Sequence, residues 1–122
     1  MTIERYRAAA TEAEMLAFVQ GTIAGLGGQS MHIRRADRQN VTGWPDVVGV
    51  VPIDGDRDGP HRLVAIEIKT RFDRRNPAQD EWLRRLGLVG ATTAVLRAGR
   101  PKHPDELDLD TVHALIEQAA NP

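Results

Sequence analysis

The sequence predicts a mixed α/β fold, and three observations carry that prediction. Helical periodicity and strand-like runs alternate in the order α-β-β-β-α-β-α, with turn-forming residues between them. The strand runs are rich in Val and Ile, and at 4% aromatic residues the core must be built mostly from Val, Ile, Leu and Ala. At 122 residues, 41% apolar and 27% charged, the chain suits one soluble globular domain over 1–122 rather than two domains or a disordered segment.

Thr11-Glu12-Ala13-Glu14 has the form of a capping box that opens a helix. Leu16, Val19, Ile23 and Leu26 follow at helical spacing, Met15 and Phe18 widen the stripe, and Gly27-Gly28 stops it. Ser30 to Arg34 predicts a short strand, with Met31 and Ile33 on one face and His32 and Arg34 on the other. A polar loop, Arg35 to Thr42, leads to a second strand over Asp46–Val51. The turn-rich run Asp54-Gly-Asp-Arg-Asp-Gly-Pro60 predicts that the third strand, Leu63–Lys69, returns as a hairpin. After a basic loop, Asn76-Pro77 reads as an N-cap followed by Pro at the first helical position, with a helix to about Leu88. Ala91–Leu96 predicts a further strand, Pro101–Asp108 a loop and Asp110–Ala119 a last helix.

Composition excludes several classes of chemistry. The absence of cysteine removes disulfides, thiolate metal sites and cysteine nucleophiles. No apolar run reaches the ~18–20 residues needed to cross a bilayer, and the N-terminus has no signal-type stretch, so the expectation is a cytoplasmic protein without a membrane partner. Sixteen basic residues against seventeen acidic ones give a net charge of −1, mild evidence against nucleic acid. The distribution is more informative than the sum. Fourteen of the bases are Arg, which favours bidentate phosphate contacts. They cluster at Arg34, Arg35 and Arg38, at Arg71, Arg74 and Arg75, and at Arg84 and Arg85, whereas acids cluster at Asp54, Asp56 and Asp58 and over Asp105–Asp110. These clusters are either solvated faces or a phosphate-binding surface.

The chemistry lies around the third strand. Alternation sends Ile66 and Ile68 to one side and Glu67 and Lys69 to the other. Taken alone, Glu67 and Lys69 are either an edge-strand ion pair or part of a site. If the hairpin pairs the second and third strands, the start of one lies beside the end of the other, and Asp46 falls near Glu67 and Lys69. Two carboxylates converging at a strand end suit Mg²⁺ or Mn²⁺, and an adjacent ammonium positions water or stabilises charge on a phosphate. Gln79, at the third helical position after Asn76, either closes a capping box or faces Lys69 and orients it.

Together, GWPDVVGV, LVAIEIKT and NPAQDEWLRRLGLVGATTAVLR resemble the VRR-NUC domain, the virus-type replication-repair branch of the PD-(D/E)XK nucleases, from about Thr11 to Ile116. The resemblance implies a central mixed sheet flanked by helices and a Mg²⁺- or Mn²⁺-dependent DNA endonuclease of phage or bacterial replication and repair. It implies metal ligands at Asp46, Glu67 and the carbonyl of Ile68, with Lys69 and Gln79 completing the catalytic set. A first-helix acid falls on Glu12, with Glu14 better explained by the capping box, or else both glutamates are solvated. His32 is either a phosphate contact or an ordinary strand residue, and Arg34, Arg35, Arg38, Arg71, Arg74 and Arg75 would cradle DNA. Free-standing relatives resemble Holliday-junction resolvases, which implies branched DNA and a homodimer, because two symmetric cuts need two sites. The alternative is a non-catalytic or complex-dependent nucleic-acid-binding module that keeps the nuclease fold.

Overall fold

The computed structural model of the chain describes residues 10–33 and 43–122. Its elements are α1 (Glu12–Gly25), β1 (Gln29–His32), β2 (Val47–Pro52), β3 (His61–Lys69), α2 (Pro77–Leu88), β4 (Thr92–Arg97), β5 (Glu106–Leu107) and α3 (Leu109–Ala120), with a 3₁₀ turn at Ile53–Gly55. The order matches the predicted one with a single addition. β5 lies inside the stretch expected to be loop, and two residues are too short to carry a period.

The five strands form one sheet in the order β1-β2-β3-β4-β5. β2 and β3 pair antiparallel, as the hairpin signal requires, β1 pairs antiparallel with β2, and β4 joins β3 and β5 joins β4 in parallel. The parallel step needs a crossover, and α2 supplies it. β1 is shorter than expected, ends at His32, and leaves Met31 exposed on the sheet edge.

Alternation along the strands divides the apolar residues between two faces. Val47, Val51, Val64, Ile66, Ile68 and Leu96 turn toward α1 and α3, which contribute Met15, Val19, Ile23, Val112 and Ile116 to the main core. Ala65 and Val95 turn the other way and meet Leu83 of α2 in a smaller cluster. The helices therefore lie on both faces, and the central strands β3 and β4 are buried between them, while β1 stays at an exposed edge.

Local signals set the helix ends. Thr11 and Glu14 form the reciprocal capping box at α1, each side chain bonding the other's backbone N–H, at 3.1 and 3.3 Å. Gly27, at φ 85°, turns the chain out of α1 in a conformation that costs a β-carbon residue more. The Asn76 side chain accepts from the Ala78 N–H at 2.9 Å, and Pro77 occupies the first helical position of α2. Each cap is worth about 1 kcal/mol. Among the described residues no helix is long and apolar enough to cross a membrane.

Candidate active site

The antiparallel register places Val47 opposite Ile66, so the residue before β2 meets the residue after Ile66. Asp46 accordingly sits at the end of β3. Its Oδ2 accepts the backbone N–H of Ile68 at 2.8 Å, and its carbonyl accepts the Ile33 N–H at 3.1 Å. These bonds fix the carboxylate relative to the sheet. Glu67, only 1% exposed, and Lys69, 8% exposed, point to the face covered by α2. Nothing in an ordinary apolar core would retain three charged groups at this depth, because desolvation penalises each of them.

Gln79 resolves the ambiguity of the α2 N-terminus. Its Oε1 accepts from Lys69 Nζ at 2.8 Å, and both side chains are buried. Asn76 caps the helix through its own side chain, without Gln79. One of the three Lys69 N–H donors is thus committed, which orients the ammonium from the helix side.

These groups line a cleft of about 710 Å³ together with Glu12, His32, Ile68, Arg74 and Asn76. The first turns of α1 and α2 and the ends of β1 and β3 converge on this one place. Glu12, His32 and Asp46 each offer a ligand atom, and the three atoms lie within 4.8 Å of one another. Glu12 reaches this cluster while Glu14 stays in the helix cap, so the structure separates the two candidate acids. His32 stands beside two carboxylates, a placement that strand alternation alone did not predict.

The turn at the α2 N-terminus is braced by residues whose part the sequence did not disclose. Gly43, at φ 82°, lies so close to α2 that a β-carbon there would come within 2.5 Å of the Ala78 backbone. Trp44 packs edge-on against Trp82 of α2, ring centroids 4.9 Å apart. The Gly43-Trp44-Pro45 turn that delivers Asp46 is therefore locked to the helix that delivers Gln79.

The predicted arginines separate. Arg34, Arg35 and Arg38 lie outside the described residues. Arg74 lines the cleft, and Arg71 lies over the Phe72 ring, 4.8 Å from its centroid. Arg75 departs from the expectation of a DNA contact, because its guanidinium bonds Asp80 and Asp105 at 2.7–3.0 Å and approaches Glu106 at 3.5 Å. Asp105 first, and then Asp80, hold it above its ordinary basicity against the opposing effect of burial. Arg84 and Arg85 are spent on Glu81 of the same helix. Arg75 is thus neutralised in part by the acidic run that looked separate from it, and Arg84 and Arg85 by an acid of their own helix.

Arg97, at the end of β4, faces Lys69 across the parallel ladder. It donates to the carbonyls of Thr70 and Asp73 at 2.7 and 2.5 Å and forms a buried two-pronged pair with Glu106 at 3.0 and 2.7 Å. Its guanidinium fastens the loop that leaves the site to the far edge of the sheet. The only sequence signal for it is a charged residue at the end of an apolar strand.

The chain is thus a mixed α/β sheet protein with helices on both faces and a cleft of carboxylates and a lysine where β2 starts and β3 ends. The chain shares its fold with a solved "VRR_NUC domain" (TM-score 0.58, 21% identity), the match covering 89% of this chain and 97% of that one. No family model and no curated protein matches the sequence.

Proposed function

We propose that this chain is a divalent-metal-dependent endonuclease that hydrolyses phosphodiester bonds in DNA, selectively at branched structures, and works as a homodimer. The observation that carries this reading is the convergence of Asp46, Glu67, Lys69 and Gln79 with Glu12 and His32 in one cleft.

The donor set suits a hard divalent cation. Asp46, Glu67 and Glu12 offer carboxylate oxygens and Ile68 a carbonyl, which favours Mg²⁺ or Mn²⁺, and His32 either completes the set or reaches the phosphate. When bound, such an ion supplies Lewis-acid polarisation of the phosphate oxygens. Around it, Asp46 is held in place by the Ile68 N–H, so its carboxylate need not reorganise during reaction. Lys69, oriented by Gln79, positions the attacking water and donates to charge developing on the phosphate. Attack of the water oxygen on phosphorus breaks the bond to the leaving sugar oxygen; the water gives up its proton to solvent and the leaving oxygen takes one up from solvent. Arg74 binds the backbone beside the cut without reading sequence. The described residues hold one such site, so paired incisions at a junction call for two copies.

The test uses labelled duplex, flap and four-way DNA with Mg²⁺, Mn²⁺ or EDTA, alongside calorimetry of Mn²⁺ binding. Cleavage is expected with either metal and lost in EDTA. Ca²⁺ is expected to bind without supporting turnover, because its looser coordination positions water poorly. Asp46→Ala should lose both Mn²⁺ binding and cleavage, and Lys69→Ala should lose cleavage while keeping Mn²⁺. Full activity in EDTA, or wild-type cleavage by Lys69→Ala, would overturn the assignment. DNA binding without cleavage under all these conditions would leave the non-catalytic module as the better description.

A further inference from the structure

The loop that follows Lys69 carries Phe72 at its tip, 77% exposed. Most exposed apolar side chains lie scattered on a surface and need no explanation. This one differs in how it is held. The Thr70 N–H donates to Asp73 Oδ2 at 2.8 Å, the Asp73 N–H donates to the Thr70 carbonyl at 3.2 Å, and the Phe72 N–H donates to Thr70 Oγ1 at 3.3 Å. Arg97 fastens both the Thr70 and Asp73 carbonyls, and buried Glu106 anchors Arg97 in turn. The turn is over-determined, yet the aromatic ring that it displays covers no core.

Its surroundings are those of a nucleic-acid contact. Arg71 lies over the ring, 4.8 Å from the centroid, and Arg74, two residues on, lines the cleft. Phe72 is three residues beyond Lys69, a span of at most ~11 Å. At ~3.4 Å of rise per nucleotide on one strand, that main-chain span corresponds to about three nucleotides, to which the lengths of the two side chains add. Aromatic rings beside basic groups bind exposed bases by stacking, whatever the base.

Resting on the nuclease reading above, we propose that Phe72 is a specificity-determining residue that stacks on an unpaired or unstacked base of the DNA substrate, a few nucleotides from the scissile phosphate. A base inside an intact duplex has both faces covered, so the ring gains nothing there unless it first opens a step, which costs unstacking energy. DNA with a flap, bulge or junction has an available base face. Phe72 thereby gives a physical origin for selectivity by structure, and its rigid mounting removes the ordering cost of placing the ring.

The experiment compares wild type, Phe72→Leu and Phe72→Trp in two assays. The first is binding, in Ca²⁺, to a fully paired duplex and to the same sequence carrying a flap. The second is single-turnover cleavage of both in Mg²⁺. Phe72→Leu should weaken flap binding roughly five- to 150-fold, the range that one base–aromatic stack is worth. Duplex binding should change less, and Phe72→Trp should retain the flap preference. Because the ring is exposed, all three proteins should melt at the same temperature. Equal losses by Phe72→Leu on duplex and flap, or no loss on either, would overturn the inference while leaving the nuclease reading intact if the wild type cleaves. A wild type that neither binds nor cleaves any of these DNAs would overturn both.

Discussion

Glu106→Gln is the substitution whose cost the structure defines most closely. Burial pushes the Glu106 carboxyl up, but the Arg97 guanidinium and the Lys102 and His103 backbone N–H groups outweigh it and bring the group from 4.5 down to about 2. A fall of that size corresponds to about 3 kcal/mol of stability at neutral pH. An independent figure, about 3–5 kcal/mol for removing one partner of a buried pair, agrees. The amide cannot escape this cost by flipping. One carboxylate oxygen accepts from Arg97 Nε, Lys102 N and His103 N, and the other accepts from Arg97 Nη2, so a glutamine –NH₂ faces a donor either way. The group's folded pKa lies below its unfolded value, so its stabilisation is complete above pH ~4.5 and is lost as pH falls toward about 2. The difference between wild type and variant should therefore be about 3 kcal/mol at pH 7 and about 1 kcal/mol smaller by pH 3.5. Urea unfolding followed by circular dichroism reads it. At a slope of about 1.5 kcal/mol/M the midpoint should fall by about 2 M at pH 7. No shift at pH 7, or a shift that does not change between pH 7 and pH 3.5, would refute the assignment of Glu106 as the ionised partner of Arg97.

Gly43→Ala should destabilise the fold by about 1–3 kcal/mol in thermal or urea unfolding, because it combines a strained positive φ with a clash against the Ala78 backbone. The same change should reduce cleavage beyond its effect on stability, since it pushes apart the turn bearing Asp46 and the helix bearing Gln79. Arg74→Ala should weaken DNA binding in Ca²⁺ alike across sequences and lower the slope of log affinity on log salt by about one contact, read by fluorescence titration. Arg75→Ala should instead appear in the unfolding midpoint, because its guanidinium bonds Asp80 and Asp105.

The parts of the fold that were legible in the sequence are those fixed by short-range rules. Thr11 and Glu14 cap α1, Asn76-Pro77 opens α2, and the Asp54–Pro60 turn pairs β2 with β3. From that pairing and strand alternation, the meeting of Asp46 with Glu67 and Lys69 follows without knowledge of the remaining chain. Gln79 was legible only as two alternatives, because a third-position glutamine suits a cap as well as a neighbouring strand, and sequence spacing cannot tell which partner is nearer. The charge map was misleading for a related reason. Arg75 and Asp105 are thirty residues apart and Arg97 and Glu106 nine apart, and nothing local marks either pair. Asp105 and Glu106 read as a solvated acidic run, yet Glu106 is buried and begins the two-residue strand β5. His32 beside Glu12 and Asp46 depends on where α1 packs on the sheet, which is a tertiary fact.

The ties around β3 suggest why the chemistry is placed at this strand end. Three bonds from different elements converge within three residues: Asp46 to the Ile68 N–H, Lys69 to Gln79 of α2, and the Thr70 carbonyl to Arg97 of β4. Each comes from a neighbour that the core has already fixed, so the charged groups receive their positions from packing elsewhere in the sheet. This matters because carboxylates and an ammonium at this depth cannot be held by solvent, and a site that had to reorganise around each new charge would lose the advantage of fixed dipoles. The same reasoning separates the groups of the cleft by stiffness. Asp46, Glu67 and Lys69 are buried, Asp46 tied to the Ile68 N–H and Lys69 to Gln79, whereas Glu12 is exposed on the first turn of α1 and His32 ends an edge strand. A cation drawn by the rigid pair would take up the outer two by small movements of their side chains. It would also neutralise the acids that otherwise repel a phosphate, leaving Arg71 and Arg74 to act on the DNA backbone. On the proposed nuclease reading, attraction of this chain of net charge −1 for DNA would be conditional on the metal, and the basic loop after Lys69 would become effective only once the ion is bound.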